Sequence, residues 1–561
     1  MLVFYTALIF GIMNWKKNWT IWIVVAFTGT LFSFKFADKY FEIAKNLDLY
    51  ASVVREINSY YVDEIDAGKL NKKAIDEMLK SLDPYTVFIS EAEAEDFRFQ
   101  MTGQYGGIGS QVVQRNEYVM ISDPYEGYAA QKADLRAGDL ILAVDGKSAK
   151  GKSTSEMSKL LKGQAGTVVK LSIKRGNETL EIPVTREEIK LKNVPYYGLI
   201  NPTTGYIKLS SFTGDAGEDV RKALVDLKTK NISQVILDVR GNPGGLLNEA
   251  INIVNLFVPK GQLVVTTKGK TSEWNKSYLT NNQATDTQIP LVVLTNKGSA
   301  SASEIVSGTI QDLDRGIVIG QRTFGKGLVQ STRPLQYNTQ IKITTAKYYT
   351  PSGRCIQALD YSHRNEDGSV GNVPDSIKKA FKTKNGRTVL DGGGVAPDLI
   401  TDLPPLSMFT QTLISQFVLF DFASLYRQNH PSLNASAQDF TISNDLYDQF
   451  KKYVMEKDVK FVSQSEQELE NFKKKAVEEK YFEGVQTAYE QIKKQLAQSK
   501  EQELIKNKTE ICSLLTEEIV RRYYYQNGRT EASFKFDTEI QEALKLFADA
   551  PRMKTILSAK Q

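Results

Sequence analysis

Apolar residues fall into stretches of different rhythm along this chain. From 40 to 61 they return at roughly helical spacing, and 69–82 forms a second such stripe that stops at Asp83-Pro84, where the proline ring disfavours helical backbone in the residue before it. Together with the residues up to 98, these stripes predict an N-terminal helical region. After Gly103 the rhythm changes. Gln111-Val112-Val113 and Tyr118-Val119-Met120-Ile121 are β-branched and aromatic and predict strands.

From about 195 to 400 short apolar strands alternate with helices. Strands are expected at 206–209, 235–239 and 291–294, and helices at 216–227, 246–257 and 301–311. That alternation predicts an α/β layer fold. Past 402, Leu469, Phe472 and Ala476, then Val485, Ala488, Ile492 and Leu496, fall three and four apart and make amphipathic helices that pack on their own domain. The charge-rich segment 500–510 reads as a solvated face.

Composition narrows the function more than the fold. The 41% hydrophobic and 24% charged content is that of an ordinary folded protein, and 561 residues are enough for about three or four domains. A net charge of +5 without a basic, aromatic-interleaved stripe argues against nucleic acid as a partner. Two Cys and two His cannot supply a zinc site, and no metal or cofactor is expected. Segment 18–34 carries no charge and follows Lys16 and Lys17, which should stay cytoplasmic. It is expected to be a membrane anchor or a signal segment. No clean A-x-A site follows it, so an uncleaved anchor is preferred, with the body of the chain exported.

The chemistry is concentrated in 298–330, GSASASEIVSGTIQDLDRGIVIGQRTFGKGLVQ. A cluster of small residues around Ser301 opens a helix, and Lys326 stands between Gly325 and Gly327. A serine hydroxyl is a weak nucleophile until a base takes its proton, and a lysine can be that base only when burial keeps it neutral. His363 and His430 sit in no segment resembling a catalytic loop, so Lys326 is the better candidate base. A tightly packed helix entrance and a turn with a solvated lysine are the plain alternatives. Gly320 to Lys326 also fits the start of a phosphate-binding loop, but Gly327 stands where that loop needs Ser or Thr.

Taken together, Ser301-Ala302-Ser303-Glu304, Thr323-Phe324-Gly325-Lys326-Gly327 and the following Gln330 resemble the C-terminal processing, or tail-specific, peptidases. The resemblance implies Ser301 as nucleophile, Lys326 as general base and Gln330 as the partner that orients Lys326. Asp238-Val239-Arg240-Gly241-Asn242-Pro243-Gly244-Gly245 matches the same family. Glycines there let backbone N–H groups approach a substrate oxygen, so the oxyanion hole is assigned to Gly244 or Gly245 together with Ala302. The segment from Tyr105 to Gly109, with Ala137 to Gly146 further on, looks like a PDZ domain, in which Gly106, Gly107, Ile108 and Gly109 would bind a peptide carboxylate. One departure is Asp134, where the family usually has Gly. Tyr348 to Arg354 and Gly392 to Asp398 also match and read as structural.

The expectation is therefore an α/β chain with a crotonase-like peptidase core. Its parts are an anchor or signal segment at 1–36, N-terminal helices at 37–102, a PDZ domain at 103–190, the Ser-Lys core at 191–400 and a helical region at 401–561. The resemblance further implies an envelope serine endopeptidase, periplasmic and held at the inner membrane, that recognises protein or peptide substrates by a free C-terminus, with a lipoprotein adaptor as a further partner. Two alternatives stand beside it, an inactive PDZ scaffold and a crotonase-like enzyme acting on acyl thioesters.

Overall fold

The computed structural model describes residues 19–402, 405–457, 459–496 and 500–558, with 19–39, 96, 100 and 375 described by backbone alone. The chain divides into two units, Met1–Phe88 and Ile89–Gln561. In the first, α1 (Trp19–Tyr60) is one helix of 42 residues. The second helix, α2 (Ala67–Lys80), starts at Asp66, whose carboxylate accepts from Lys69 N–H, and the chain then turns on Asp83, which accepts the N–H groups of Tyr85 and Thr86, each at 2.8 Å. The expected anchor over 18–34, with Lys16 and Lys17, lies outside the residues described in full. Among those that are, no helix is long and apolar enough to cross a membrane.

The second unit opens with a β module. Strands β1 (Gln104–Gly107), β2 (Ser110–Arg115), β3 (Tyr118–Pro124), the short helix α3 (Ala129–Lys132), β4 (Leu140–Val144), α4 (Thr154–Leu161), β5 (Val168–Arg175), β6 (Glu178–Thr185) and β7 (Glu187–Lys190) follow in order. The sheet runs β2-β3-β4-β5-β6 with antiparallel neighbours, while β1 pairs with β7. Val119, Ile121, Ile141, Val169, Leu171 and Ile173 point to one side and bury against Met157 and Leu161 of α4, as alternation requires of a half-buried sheet. Asp134 has a φ of 58°, the left-handed conformation that Gly adopts without strain.

The core sheet has the order β8-β9-β10-β13-β14-β17, counting β8 (Tyr196–Asn201), β9 (Thr204–Lys208), β10 (Gln234–Asp238), β13 (Leu291–Thr295), β14 (Ile317–Gly320) and β17 (Leu399–Ile400). All pairs but the first are parallel. Its strands read as continuous apolar runs because both faces are covered. Val235, Leu237, Leu291 and Val293 face α5 (Ala216–Thr229), α6 (Leu247–Phe257) and α7 (Ala302–Asp312). Ile236, Val292, Leu294, Ile317 and Ile319 face the opposite way, against Phe534, Ile540, Ala543 and Leu546. A second, antiparallel sheet joins β11 (Leu263–Gly269) and β12 (Lys276–Leu279) to β15 (Leu328–Pro334) and β16 (Gln340–Tyr349).

The region past 402 is helical, as expected, but is not a separate appendage. Helices α8 (Val418–Asn429), α9 (Asn444–Glu456) and the long α12 (Lys508–Ser533) form a core of their own around Phe422, Phe450 and Leu515. Between them, α10 (Gln464–Glu478) and α11 (Phe482–Leu496) bury Ala476 and Tyr489 but leave Phe472 and Ile492 over two-fifths exposed. The stretch 500–510 is not merely a solvated face, since Leu504 is fully buried and its carbonyl accepts from Tyr447. The last helices, α13 (Thr538–Ala548) and α14 (Ala550–Leu557), supply the residues that back the core sheet.

Candidate active site

Parallel strands β10 and β13 end level with one another, Asp238 opposite Leu294, and the loops leaving their C-terminal ends carry the candidate chemistry. This is where open α/β sheets place their ligands. Loop 239–246 leads into α6, and loop 296–301 leads into α7. The two are stapled together. Asn242, fully buried, accepts at its carbonyl from Ala300 N–H at 3.0 Å and from the Ser303 hydroxyl at 2.9 Å, while the Ser299 hydroxyl donates to Val239 O at 2.8 Å.

Ser301 is half-buried immediately ahead of α7, with φ 55° and ψ −112°. A non-glycine residue in that region costs about 1–3 kcal/mol and persists only where its surroundings enforce it. Gly244 is the neighbour that permits the turn. Its φ is 97°, and a Cβ there would stand 2.7 Å from Ala300 O and 2.9 Å from Ser301 Cβ. Gly245, with φ 153°, is equally confined, since a Cβ would meet Phe212 O at 2.4 Å.

Glu304, one turn into α7, ties Ser301 to Lys326. Its carboxylate is completely buried and accepts four hydrogen bonds, from Ser301 N–H at 2.8 Å, the Thr323 hydroxyl at 2.6 Å, Gly325 N–H at 2.7 Å and Lys326 N–H at 2.9 Å. The Tyr348 hydroxyl closes the other side, its oxygen lying 2.7 Å from Lys326 O and 3.1 Å from Ser301 O. Ser301 and Lys326, both half-buried, are therefore held backbone to backbone by one carboxylate and one phenol. Burial pushes the Glu304 carboxyl up to about 7, against the opposing pull of its four donors.

Because that value is raised, the folded chain retains a proton on Glu304 where the unfolded chain has lost it. The contribution to stability is full at low pH and declines as pH climbs from about 4.5 to about 7. Glu304→Gln is expected to remove that slope. It should also destabilise the fold by about 1–3 kcal/mol, since the amide NH2 faces donors that then lack an acceptor. Denaturant midpoints of both chains between pH 4 and 8 measure this, and parallel curves for the two would contradict it.

The other candidate residues are more dispersed. Gln330 lies on β15 next to a break in register with β16 between Val329 and Gln330, a place where bulges re-aim side chains, and its amide donates to the Thr344 hydroxyl at 3.2 Å. Gly244 N–H donates to Asn242 Oδ1 at 2.9 Å. Ala302 begins α7, among the helix N–H groups that lack an intrahelical partner. In the β module, Gly106 and Gly107 sit in β1 opposite Glu188 and Glu187, and Ile108 and Gly109 make the turn into β2. His363 pairs with Asp360 at the surface and His430 stacks on Tyr426. Of the phrases read as structural, Tyr348 proves to belong to the site, and Val395 N–H donates to the Thr323 hydroxyl that also binds Glu304.

Against known proteins, the chain is 37% identical over 321 residues to the carboxy-terminal-processing protease of Bartonella bacilliformis, an alignment covering 56% of this chain and 73% of that one. The chain belongs to the C-terminal processing peptidase family. Residues 203–362 match peptidase family S41, 120–175 match the PDZ domain, and 409–547 match the C-terminal helical domain of a probable PDZ-protease. A probable CtpA-like serine protease of Staphylococcus aureus strain COL is 36% identical over 315 residues, which are 55% of this chain. The chain spans 62% of the length of that relative. Among solved structures, the photosystem II D1 C-terminal processing protease is 27% identical and superposes with a TM-score of 0.36 over 63% of this chain and 92% of the other. The match over 409–547 falls within the helical region past 402.

Proposed function

We propose that this member of the family is a serine endopeptidase that reads the C-terminal tail of a protein substrate through its PDZ domain and cleaves upstream with Ser301 and Lys326. The observation that supports the reading is the double clamp by Glu304 and Tyr348, which ties the backbone of a strained serine, itself against Gly244, to the backbone of a lysine 25 positions later in the chain. In the reaction, Lys326 Nζ takes the proton of Ser301 Oγ and the alkoxide attacks the carbonyl carbon. The electron pair of the C=O moves to its oxygen, held by backbone N–H groups. Gly244 N–H is engaged by Asn242, which supports Gly245 with Ala302 as donors. The pair returns, the C–N bond breaks, and the Lys326 ammonium protonates the leaving amine. Water then releases the acyl group from Ser301.

Tail reading is supported by the place of β2 at the end of its sheet, paired on one side by β3, which offers an edge for a peptide strand. Ile108 and Gly109 stand at its start, where successive N–H groups meet a carboxylate. Amidating the C-terminus of a peptide substrate should lower kcat/KM about ten- to a hundredfold, because charge-assisted hydrogen bonds of about 1.5–3 kcal/mol are lost. Equal turnover of free and amidated tails would remove tail reading; cleavage of neither would remove the peptidase. In this reading the body of the chain works in the cell envelope, anchored through 18–34, which the uncharged run behind Lys16 and Lys17 supports.

A further inference from the structure

Arg240 opens the glycine loop beside Ser301, and its side chain points away from the loop into a buried cluster of carboxylates. Its guanidinium is ringed on three sides. Nε and Nη2 bond Asp238 at 2.6–3.0 Å, Nη2 lies 2.8 Å from Asp537 Oδ2, and Nη1 lies 2.7 Å from Glu539 Oε2 and 3.1 Å from Asp537 Oδ1. Asp238 and Glu539 are almost wholly buried. The Tyr206 hydroxyl adds a bond to Asp238 at 2.6 Å, and Phe534 packs edge-on against that tyrosine at 5.0 Å. Burial alone would raise Asp238, but Arg240 holds it below the ordinary carboxylate range.

Two of the three carboxylates come from far along the chain. Asp537 caps the start of α13, accepting Ile540 N–H at 3.0 Å, and Glu539 lies in the first turn of that helix. Across from them, the Arg240 backbone N–H donates to Asp238 Oδ1 at 2.8 Å and the next residue, Gly241, donates to Asn296 Oδ1 at 2.8 Å. From there Asn242 connects to Ala300 and Ser303 on either side of Ser301. Removing a carboxylate from this ring leaves a buried guanidinium short of a partner, and the group that can move is the loop, not the sheet behind it.

We propose that Asp537 and Glu539 of the C-terminal helical region are positioning residues of the peptidase site, which hold Arg240 and through it the 240–245 loop against Ser301. This rests on the peptidase reading above and extends the working site to the last helices of the chain. The loop carries the oxyanion donors, and such donors act only when already in place as charge develops. Loosening them costs turnover more than substrate affinity.

The test is steady-state kinetics of the full chain on a peptide with a free C-terminus. Glu539→Gln and Asp537→Asn, both nearly isosteric, are expected to lower kcat at least tenfold with KM within about threefold of the parent and a thermal midpoint within a few degrees. Glu539→Asp, which keeps the charge, should recover part of the loss. Glu542→Gln, on the same helix and paired with Arg552 at the surface, should match the parent. Folded Glu539→Gln and Asp537→Asn with kcat within twofold of the parent would overturn the proposal. So would a loss that follows only the folded fraction, or failure of both variants to fold, since either makes the cluster structural. A parent chain without turnover fails the peptidase reading itself, whereas an active parent equalled by Glu539→Gln fails this inference alone.

Discussion

Ser301→Ala is expected to abolish peptide cleavage, by at least about a thousandfold in kcat, because in the proposed mechanism the Ser301 hydroxyl forms the acyl-enzyme. The fold should survive. Ser301 is only half-buried, its hydroxyl leaves a small void, and alanine occupies a φ of 55° at much the same cost as serine. The bonds that fix this turn run through backbone atoms, Ser301 N–H to Glu304 and Ser301 O to Tyr348, and these remain in the variant. Tail binding should therefore persist while turnover is lost. A Ser301→Ala chain that cleaves within about tenfold of the parent would exclude a serine nucleophile and return the chain to a scaffold or to another chemistry.

Lys326→Arg should be inactive to a similar degree although the positive charge is kept. A lysine base must give up its proton to be able to accept that of Ser301, and a guanidinium does not do so in the working range. Arginine is also longer and planar in a place where Gly325 and Gly327 are buried on either side of residue 326. The backbone bond from Lys326 N–H to Glu304 is indifferent to the side chain, so misfolding is not the expected cause of failure. If Lys326 only attracted a substrate by charge, arginine would keep substantial activity. Robust cleavage by a correctly folded Lys326→Arg would overturn the Ser-Lys mechanism.

Ser301, Lys326 and the glycine loop are legible in the sequence as candidates because each lies in a short phrase shared with the peptidase family. The helix beginning at Ala302, the strand ending at Asp238 and the strand Leu291–Thr295 are likewise legible from rhythm, since each apolar run is confined to one element. Glu304 is visible as a letter of its motif but not as a clamp. A glutamate three residues into a helix is an ordinary capping residue, and only the arrival of Thr323, Gly325 and Lys326 from another loop gives its carboxylate four donors. Tyr348 reads as structural by its neighbours, Thr350 to Arg354, which are structural, with Arg354 buried against Asp312 at 2.8 Å. A strand alternates its faces, and β16 turns Tyr348 toward Lys326.

The sequence alone determined the α/β class and the order of helices, β module and core, because these depend on local periodicity, and its resemblance to the peptidase family singled out the candidate serine and lysine. The tertiary structure decided which groups hold that pair, and that Phe534, Ile540 and Leu546 cover the second face of the core sheet. It also decided that Asp537 and Glu539 reach Arg240. These contacts join residues about 300 positions apart. Such pairings arise from burying two apolar surfaces and neutralising one buried charge in the same place, and no local pattern in either partner records them.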